Sequence, residues 1–156
     1  FDVDGVLTDG SLFFGDDGEE YKAFHARDGQ GMAMLREAGV EIGVISGRTS
    51  RAVTHRMSSP HVAHGDRDKL AAFEELLGKL GLTADQAAFV GDDVIDLPIL
   101  LRAGLAIAVA DAHPLVARHA HWQTPSAGGR GAGRDVCELV LEARGQLEAL
   151  AQRYLR

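Results

Sequence analysis

Residues 1–9, FDVDGVLTD, combine a short apolar run with three aspartates and a glycine. Asp2 and Asp4 are two residues apart, so in an extended segment their side chains project to the same side. Carboxylates this close repel one another unless a positive charge lies between them. The stretch therefore predicts a cation-binding site directly after a first β-strand.

Length and charge limit the class of protein. The 156 residues suit a single domain, 1–156, with a real hydrophobic core. The net charge of −7, from 16 basic and 23 acidic side chains, argues against a general nucleic-acid binder, because such binding needs clustered Lys and Arg. Any phosphate must therefore be held locally.

Cysteine content and hydropathy predict the location. Cys137 is the single cysteine, cannot form an intrachain disulfide, and is expected to be a buried small hydrophobe, which favours a reducing cytoplasm. No apolar run approaches the roughly 20 residues of a membrane span, and no signal peptide precedes Phe1. We expect a cytoplasmic protein with no membrane partner.

Short apolar runs alternate with amphipathic stretches, which is typical of an α/β fold: a Rossmann-like parallel sheet flanked by helices. The predicted strands are 1–3, 41–45, 61–63, 88–90 and 105–109. The predicted helices are 30–38, 50–57, 68–80, 95–103, 114–119 and a last one from 134 towards 155.

Two stretches interrupt this alternation. SLFF, GDDG and EEYKAF form two strand-like runs around a turn, which predicts a β-hairpin inserted at about 10–24. The Gly-rich segment at about 124–134 is expected to be a flexible loop before the last helix.

Polar motifs follow three of the predicted strands. Asp2 and Asp4 follow the first, SGR at 46–48 follows the second, and GDD at 91–93 follows the fourth. Because ligands of parallel α/β sheets bind at the carboxyl ends of the strands, these motifs are expected to converge at one edge.

The converging residue types indicate phosphoryl transfer. Asp92 adds a third hard oxygen ligand to Asp2 and Asp4, and carboxylates with water and phosphate are the ligands that Mg²⁺ prefers. Lys69 and Arg48 add positive charge, and backbone amides around Gly47 are suited to bind an anion.

Four motifs, DVDGVLTDG, ISGR, the DK of HGDRDKLAA and GDDVIDLP, occur in this order. They resemble the four motifs of the haloacid dehalogenase phosphatases, and the resemblance covers nearly the whole chain. The hairpin, FHARDGQGM and GGRGAGR also resemble a minimal-cap branch that acts on an eight-carbon sugar acid phosphate in lipopolysaccharide biosynthesis.

The resemblance implies roles for individual residues. Asp2 would be the nucleophile that forms an aspartyl-phosphate, and Asp4 the general acid and base whose backbone carbonyl touches the metal. Asp2 and Asp92 would hold Mg²⁺. Ser46 would bind a phosphate oxygen, and Lys69 would offset the negative charge of nucleophile and phosphate.

Further roles concern support and substrate. Asp93 and Asp96 are expected to orient Lys69 and the metal-bound water rather than bind metal directly. The residues expected to bind substrate are Gly47, Arg48, Arg130 and Arg134. The short hairpin carries exposed aromatics that copies of the chain would cover, and the resemblance implies a homotetramer.

Several plainer interpretations compete with these roles. Asp2 and Asp4 would be ordinary turn carboxylates, Ser46 a helix cap, and Lys69 a solvated helix residue. The histidine pairs 61/64 and 119/121 suggest zinc, but no cysteine or third ligand has suitable spacing. GGRGAG does not match the dinucleotide motif GxGxxG.

Other functions remain as alternatives. A phosphorylated receiver domain also has an acidic Mg²⁺ pocket, but its acceptor aspartate would follow the middle strand, where this chain has Ser46. A nine-carbon sugar acid phosphatase of the sialic acid type is the alternative among enzymes. A non-catalytic assembly module is a further alternative, although the sequence shows no sign of lost chemistry, since it retains Asp2, Asp4, Ser46, Lys69 and Asp92. Phosphate release across a panel of sugar phosphates discriminates among them.

Overall fold

The computed structural model describes residues 1–57, 61–65 and 68–155. Five parallel strands form the sheet: β3 (Gly43–Ser46), β4 (His61–His64), β5 (Ala88–Gly91), β6 (Leu105–Ala108) and β7 (Trp122–Gln123), after a separate hairpin of β1 (Phe13–Phe14) and β2 (Glu20–Tyr21). The helices are α1 (Ala26–Glu37), α2 (Arg51–Arg56), α3 (Lys69–Leu80), α4 (Leu97–Leu100), α5 (Pro114–His119), α6 (Ala132–Ala143) and α7 (Leu147–Ala151).

Residues 1 and 2 connect the two halves of the sheet. The Phe1 nitrogen donates to the Gly43 carbonyl (2.9 Å), and the Phe1 carbonyl accepts from Ile45 (3.0 Å). On the other side, the Asp2 amide donates to the Val90 carbonyl (3.0 Å). The strand order is therefore β4–β3–(1–2)–β5–β6–β7, with residues 1–2 at the centre.

Two hydrophobic clusters cover opposite faces of this sheet. One contains Val3, Leu35, Val44 and Val136, and joins the sheet to α1 and α6. The other joins it to α3, α4 and α5 and includes Phe89, whose ring packs edge-on against Phe73 at 6.3 Å between centroids. The predicted α/β fold with helices flanking a parallel sheet is confirmed.

The boundaries differ from the predictions where tertiary contacts decide them. The predicted strand 1–3 makes sheet hydrogen bonds only at residues 1–2, because the Val3 carbonyl already accepts from three turn amides, those of residues 6, 7 and 8. The two-residue β7 was not predicted.

Two helices also differ. The first begins at Ala26 rather than at residue 30. It contains Gly31, which lets α1 approach α6 closely, since a Cβ there would lie 3.0 Å from Cys137 Cβ. The predicted last helix is two helices, separated at Gly145, which has a φ of +66°.

The single cysteine lies where the sequence predicts it, in the hydrophobic core. Cys137 is buried in the core, and burial raises the pKa of its thiol to about 12. Within the described ranges, no helix has the length and apolar character needed to cross a bilayer.

Candidate active site

The first loop places its aspartates at the carboxyl edge of the sheet. Asp2 belongs to the central connection and is 4% exposed. The chain turns immediately afterwards, with three amides bonded to the Val3 carbonyl and Gly5 at a φ of +94°. This positive φ favours glycine at the position, so the DxDG motif sets a tight turn beside the carboxylates.

Lys69 bridges two buried carboxylates. It is the first residue of α3, whose N-cap Asp68 accepts from the Ala71 amide. Its Nζ donates to Asp2 Oδ1 (2.8 Å) and to Asp96 Oδ1 (2.7 Å). Burial alone lowers the pKa of Lys69, but the two carboxylates outweigh it, so the net pKa is raised and the ammonium stays charged.

Asp92 and Asp96 complete an acidic cluster with Asp2. One oxygen from each of the three carboxylates lies within 4.8 Å of the others. Asp96 is fully buried and orients the group, because its Oδ2 accepts from the Asp92 amide (3.0 Å). Asp92 Oδ1 is buried and, within the described structure, has no hydrogen-bond partner. The glycine at position 5 keeps space there, since a Cβ would lie 2.0 Å from Asp92 Oδ2.

The raised pKa values of Asp2 and Asp92 indicate that the cluster has more negative charge than Lys69 can balance. Burial, followed by the charge of Asp96, raises the pKa of Asp2 to about 6 against the opposing effect of Lys69. Burial and then the charges of Asp2 and Asp96 raise the pKa of Asp92 to about 8. A buried oxygen without a partner, beside carboxylates that resist ionisation, suits a hard divalent cation.

Ser46 and Gly47 lie at the end of β3. Ser46 is buried, and its Oγ accepts from the Arg48 amide at 3.2 Å. Its hydroxyl proton is therefore not used in that contact, which leaves it able to donate to an anion. Gly47 follows this hydroxyl directly in the chain, and its amide stays a predicted second donor to a phosphate.

Asp4 contacts two cations. Lys22 Nζ donates to Asp4 Oδ1, and Arg48 Nε lies 4.0 Å from Asp4 Oδ2. Glu20 connects the two cations, with Lys22 Nζ at 3.2 Å and Arg48 Nη2 at 3.1 Å from its Oε1. Burial tends to raise the pKa of Glu20, but hydrogen bonds led by that from Arg48 hold it below its usual range.

The carboxyl group of Asp4 is not part of the group of three carboxylates formed by Asp2, Asp92 and Asp96 among the described residues, and the role of its backbone carbonyl at a metal stays a prediction. Asp93 caps the short turn that follows, its Oδ1 accepting from the Val94 amide (2.7 Å). Asp96, by contrast, contacts Lys69 directly, as expected of a residue that orients the lysine.

Arg130 and Arg134 have partners of their own. Arg130 Nη2 lies 3.3 Å from Asp9 Oδ2 at the surface. Arg134 Nε donates to Glu138 (2.7 Å), and its backbone amide donates to Asp28. Within the described structure, neither contacts the aspartate cluster, so their substrate-binding roles stay predictions.

The Gly-rich segment was expected to be flexible, and the structure shows it ordered against its own chain. The Gly129 amide donates to the Val6 carbonyl (2.9 Å), and the Gly128 amide donates to Asp111 Oδ1 (2.9 Å). A Cβ at Gly128 would lie only 1.7 Å from the Gly5 carbonyl oxygen. Because glycine has no side chain, the two backbones can approach this closely. A Gly-rich composition is compatible with either such packing or flexibility, so the sequence alone did not show which applies.

The zinc interpretation finds no support among the described residues, where the aspartate cluster alone groups three ligands. His61 lies 3.2 Å from Glu41, His119 Nδ1 lies 2.7 Å from a backbone carbonyl, and His121 Nδ1 accepts from the Ala106 amide.

Lys22 and Glu20 were not among the predicted site residues. They alternate with the exposed Tyr21 along an extended segment, so both face inwards while the tyrosine faces out. The sequence signal that could have identified these two site residues is the alternation itself, which places two charged side chains on the same side of the segment.

Comparison with known proteins identifies the family of this chain. Residues 49–132 match the family model described as haloacid dehalogenase-like hydrolase. The chain therefore belongs to the haloacid dehalogenase-like hydrolases, and the predicted family is confirmed. Within that family, the chain is similar to 3-deoxy-D-manno-octulosonate 8-phosphate phosphatases. It is 46% identical to KdsC of Escherichia coli K12 over 94% of this chain and 80% of that protein.

Two solved structures are also similar. A probable YrbI family phosphatase from Pseudomonas syringae is 48% identical, with a TM-score of 0.97 over 100% of this chain and 90% of the other. The 3-deoxy-D-manno-octulosonate 8-phosphate phosphatase of Moraxella catarrhalis, in complex with magnesium, phosphate and KDO, is 36% identical. Its TM-score is 0.95 over 98% of this chain and 90% of the other.

Proposed function

We propose that the chain is a Mg²⁺-dependent phosphomonoester hydrolase that removes phosphate from 3-deoxy-D-manno-octulosonate 8-phosphate in lipopolysaccharide sugar biosynthesis. The observation that carries the proposal is Asp2, a buried carboxylate that Lys69 contacts. It lies beside Asp92, whose Oδ1 has no hydrogen-bond partner among the described residues. The 46% identity to phosphatases of this substrate supports the choice of sugar.

Asp2, Asp92 and the backbone carbonyl of Asp4 would hold Mg²⁺. When bound, the ion neutralises charge between the anionic nucleophile and the anionic phosphate. Lys69 adds a fixed positive charge on the other side of Asp2, and Asp96 keeps that lysine in place.

The reaction has two steps, formation of an aspartyl-phosphate and its hydrolysis. In the first, an Asp2 carboxylate oxygen bonds to phosphorus, the bond from phosphorus to the sugar oxygen breaks, and Asp4 gives its proton to that oxygen. In the second, water attacks the aspartyl-phosphate, Asp4 takes a proton from the water, and Asp2 is regenerated as inorganic phosphate leaves.

Substrate contacts follow from the same edge. Ser46 and the Gly47 amide would bind the phosphoryl oxygens, while Arg48, 46% exposed in its side chain, would meet the sugar carboxylate. Arg130 and Arg134 are further candidates for that carboxylate if the substrate or a neighbouring subunit draws them from their present partners.

We further propose that the protein is a cytoplasmic homotetramer. The hairpin supports this because Phe13 is 52% and Tyr21 56% exposed in the single chain. A two-stranded hairpin is marginal alone, and pairing with copies would cover these rings.

The first prediction concerns the nucleophile. We expect Asp2→Asn to abolish Mg²⁺-dependent phosphate release, because the amide keeps the shape but is a poor nucleophile and removes one metal charge. Phosphate release should be measured on the eight-carbon sugar acid phosphate, a nine-carbon sugar acid 9-phosphate and a hexose phosphate. Circular dichroism would establish that the variant is folded.

Different outcomes of this assay select different functions. Preference for the nine-carbon substrate would support the alternative phosphatase. Activity in Asp2→Asn or without metal would overturn the mechanism, and no activity of the unsubstituted protein on any phosphate would favour the assembly module.

A further inference from the structure

The lysine of the hairpin, Lys22, is unusually buried for its type. Its side chain is 1% exposed, and its ammonium contacts Asp4 Oδ1 and Glu20 Oε1. Burying an ammonium away from water is costly unless it is paired, and a lysine that served only solubility would keep its end group in solvent. The position therefore calls for a role in this contact.

Asp4 is held on both of its oxygens. Lys22 contacts Oδ1, while Arg48 approaches Oδ2 at 4.0 Å. Glu20 contacts both cations, so it limits how far either can move towards Asp4 or away from it. The Asp4 carboxyl group therefore has a cation on each side, one from Lys22 directly after β2 and one from Arg48 after β3.

We propose that Lys22 is a positioning residue for Asp4, and that Glu20 keeps Lys22 in place. Lys22 fixes the orientation of the Asp4 carboxyl group, so that an oxygen of this group faces the sugar oxygen when the phosphorus–oxygen bond breaks. The inference rests on the proposed function and extends it, because it makes the hairpin part of the active site and not only a surface for assembly.

Leaving-group dependence tests this role. A sugar oxygen needs a proton as it leaves, whereas p-nitrophenolate is a stable anion that leaves without one. For Lys22→Met, we expect kcat/KM to fall by about 10-fold to 100-fold on the sugar acid phosphate, since a misplaced catalytic group costs up to about 10². On p-nitrophenyl phosphate we expect a loss of less than about threefold. The ratio kcat/KM excludes the later hydrolysis of the aspartyl-phosphate.

A double-mutant cycle separates positioning from general damage. If Lys22 acts through Asp4, Lys22→Met causes no further loss on the sugar phosphate in an Asp4→Asn background. Glu20→Gln should reproduce the same substrate pattern with a smaller loss. Lys79→Met is the matched control, because Lys79 is exposed on α3 and pairs only with Glu75 among the contacts described.

Equal losses on the two substrates, or additive losses in the double variant, would overturn the inference. Inhibition by inorganic phosphate should be unchanged in Lys22→Met, and weaker inhibition would instead assign the lysine to phosphate binding. If Lys22→Met does not fold, the test rests on Glu20→Gln, whose loss of kcat/KM on the sugar acid phosphate is compared with its loss on p-nitrophenyl phosphate in the same way. Failure of the proposed function is distinct, since it would appear as an active Asp2→Asn or as an Asp4→Asn that retains full activity on the sugar phosphate.

Discussion

At the scale of the residue, Asp2 and Asp92 link acidity to metal binding. Their pKa values, about 6 and about 8, lie above those of ordinary aspartates because both are buried beside further negative charge. A group whose pKa is higher in the folded than in the unfolded protein stabilises the fold at low pH, and this stabilisation disappears as the pH rises through the folded value.

We therefore expect the metal-free protein to lose thermal stability between about pH 4 and pH 8, from the ordinary aspartate pKa up to the higher of the two raised values. Mg²⁺ should bind more tightly as the pH rises, because it needs the ionised carboxylates. Thermal unfolding at a series of pH values, with and without Mg²⁺, measures both trends.

Asp92→Asn supplies the control for this pH dependence. The metal-free variant should lose less stability over the same window, and added Mg²⁺ should stabilise it less. A wild-type protein whose metal-free stability rose steadily from pH 4 to pH 8 would contradict the raised pKa values of Asp2 and Asp92.

The sequence was sufficient to predict which strand ends supply Asp2, Ser46 and Asp92, because motifs after parallel strands converge. It did not predict the contact of Asp4 with Lys22. That contact depends on how the hairpin folds back over the loop, which the residue types alone do not specify. Charge and two-residue alternation indicate an inward side chain but not its partner.

At the scale of the element, the predicted alternation of strands and helices agrees with the structure, while element ends depend on contacts between distant residues. Gly31 illustrates this: its helix propensity is low, yet the approach of α6 makes a helix containing it favourable. Gly145 shows the opposite case, since a residue with positive φ ends α6 where hydrophobic periodicity predicted continuation.

The Gly-rich segment permits a direct prediction. Gly128→Ala should displace the 5–9 loop, because the new Cβ would lie 1.7 Å from the Gly5 carbonyl oxygen, an atom that cannot move alone. We expect a fall in melting temperature and a loss of kcat/KM of about tenfold or more on sugar and aryl phosphates alike, since Asp4 directly precedes this loop and would move with it.

Gly78→Ala is the control for that substitution. Gly78 lies in α3 with nothing within 4 Å of its added Cβ, so alanine should raise stability slightly, by up to about 1 kcal/mol, and leave activity unchanged. Normal activity and stability in Gly128→Ala would show that the segment is not held against the loop in solution.

At the scale of the whole molecule, the hairpin is expected to determine assembly. Phe13 and Tyr21 are opposite one another in the antiparallel pair and share a face. We expect light scattering to give a tetramer, and the double substitution Phe13→Ser with Tyr21→Ser to give smaller species, because these rings would lose their apolar partners.

Leu101→Ser is a suitable comparison, since Leu101 is 66% exposed on a different part of the surface. It should leave the tetramer intact. A monomer in the unsubstituted protein would contradict the assembly proposal, although the site within each chain would remain.

Ending the chain before Gly128 would remove more than the Gly-rich segment. The removed part includes Val136, Cys137 and Leu141, which are buried in the core against α1 and the sheet. Such a truncation would prevent folding, so substitutions within the segment are the informative experiment.

The central position of residues 1–2 has a consequence for the order of events on the ribosome. Their hydrogen-bond partners at residues 43, 45 and 90 are synthesised much later than they are. Until β5 has emerged, the segment that carries Asp2 lacks one of its two neighbouring strands, and Lys69 lacks its contact with Asp96. Asp2 is thus translated well before its neighbours, and the site around it can form only after most of the sheet has been translated.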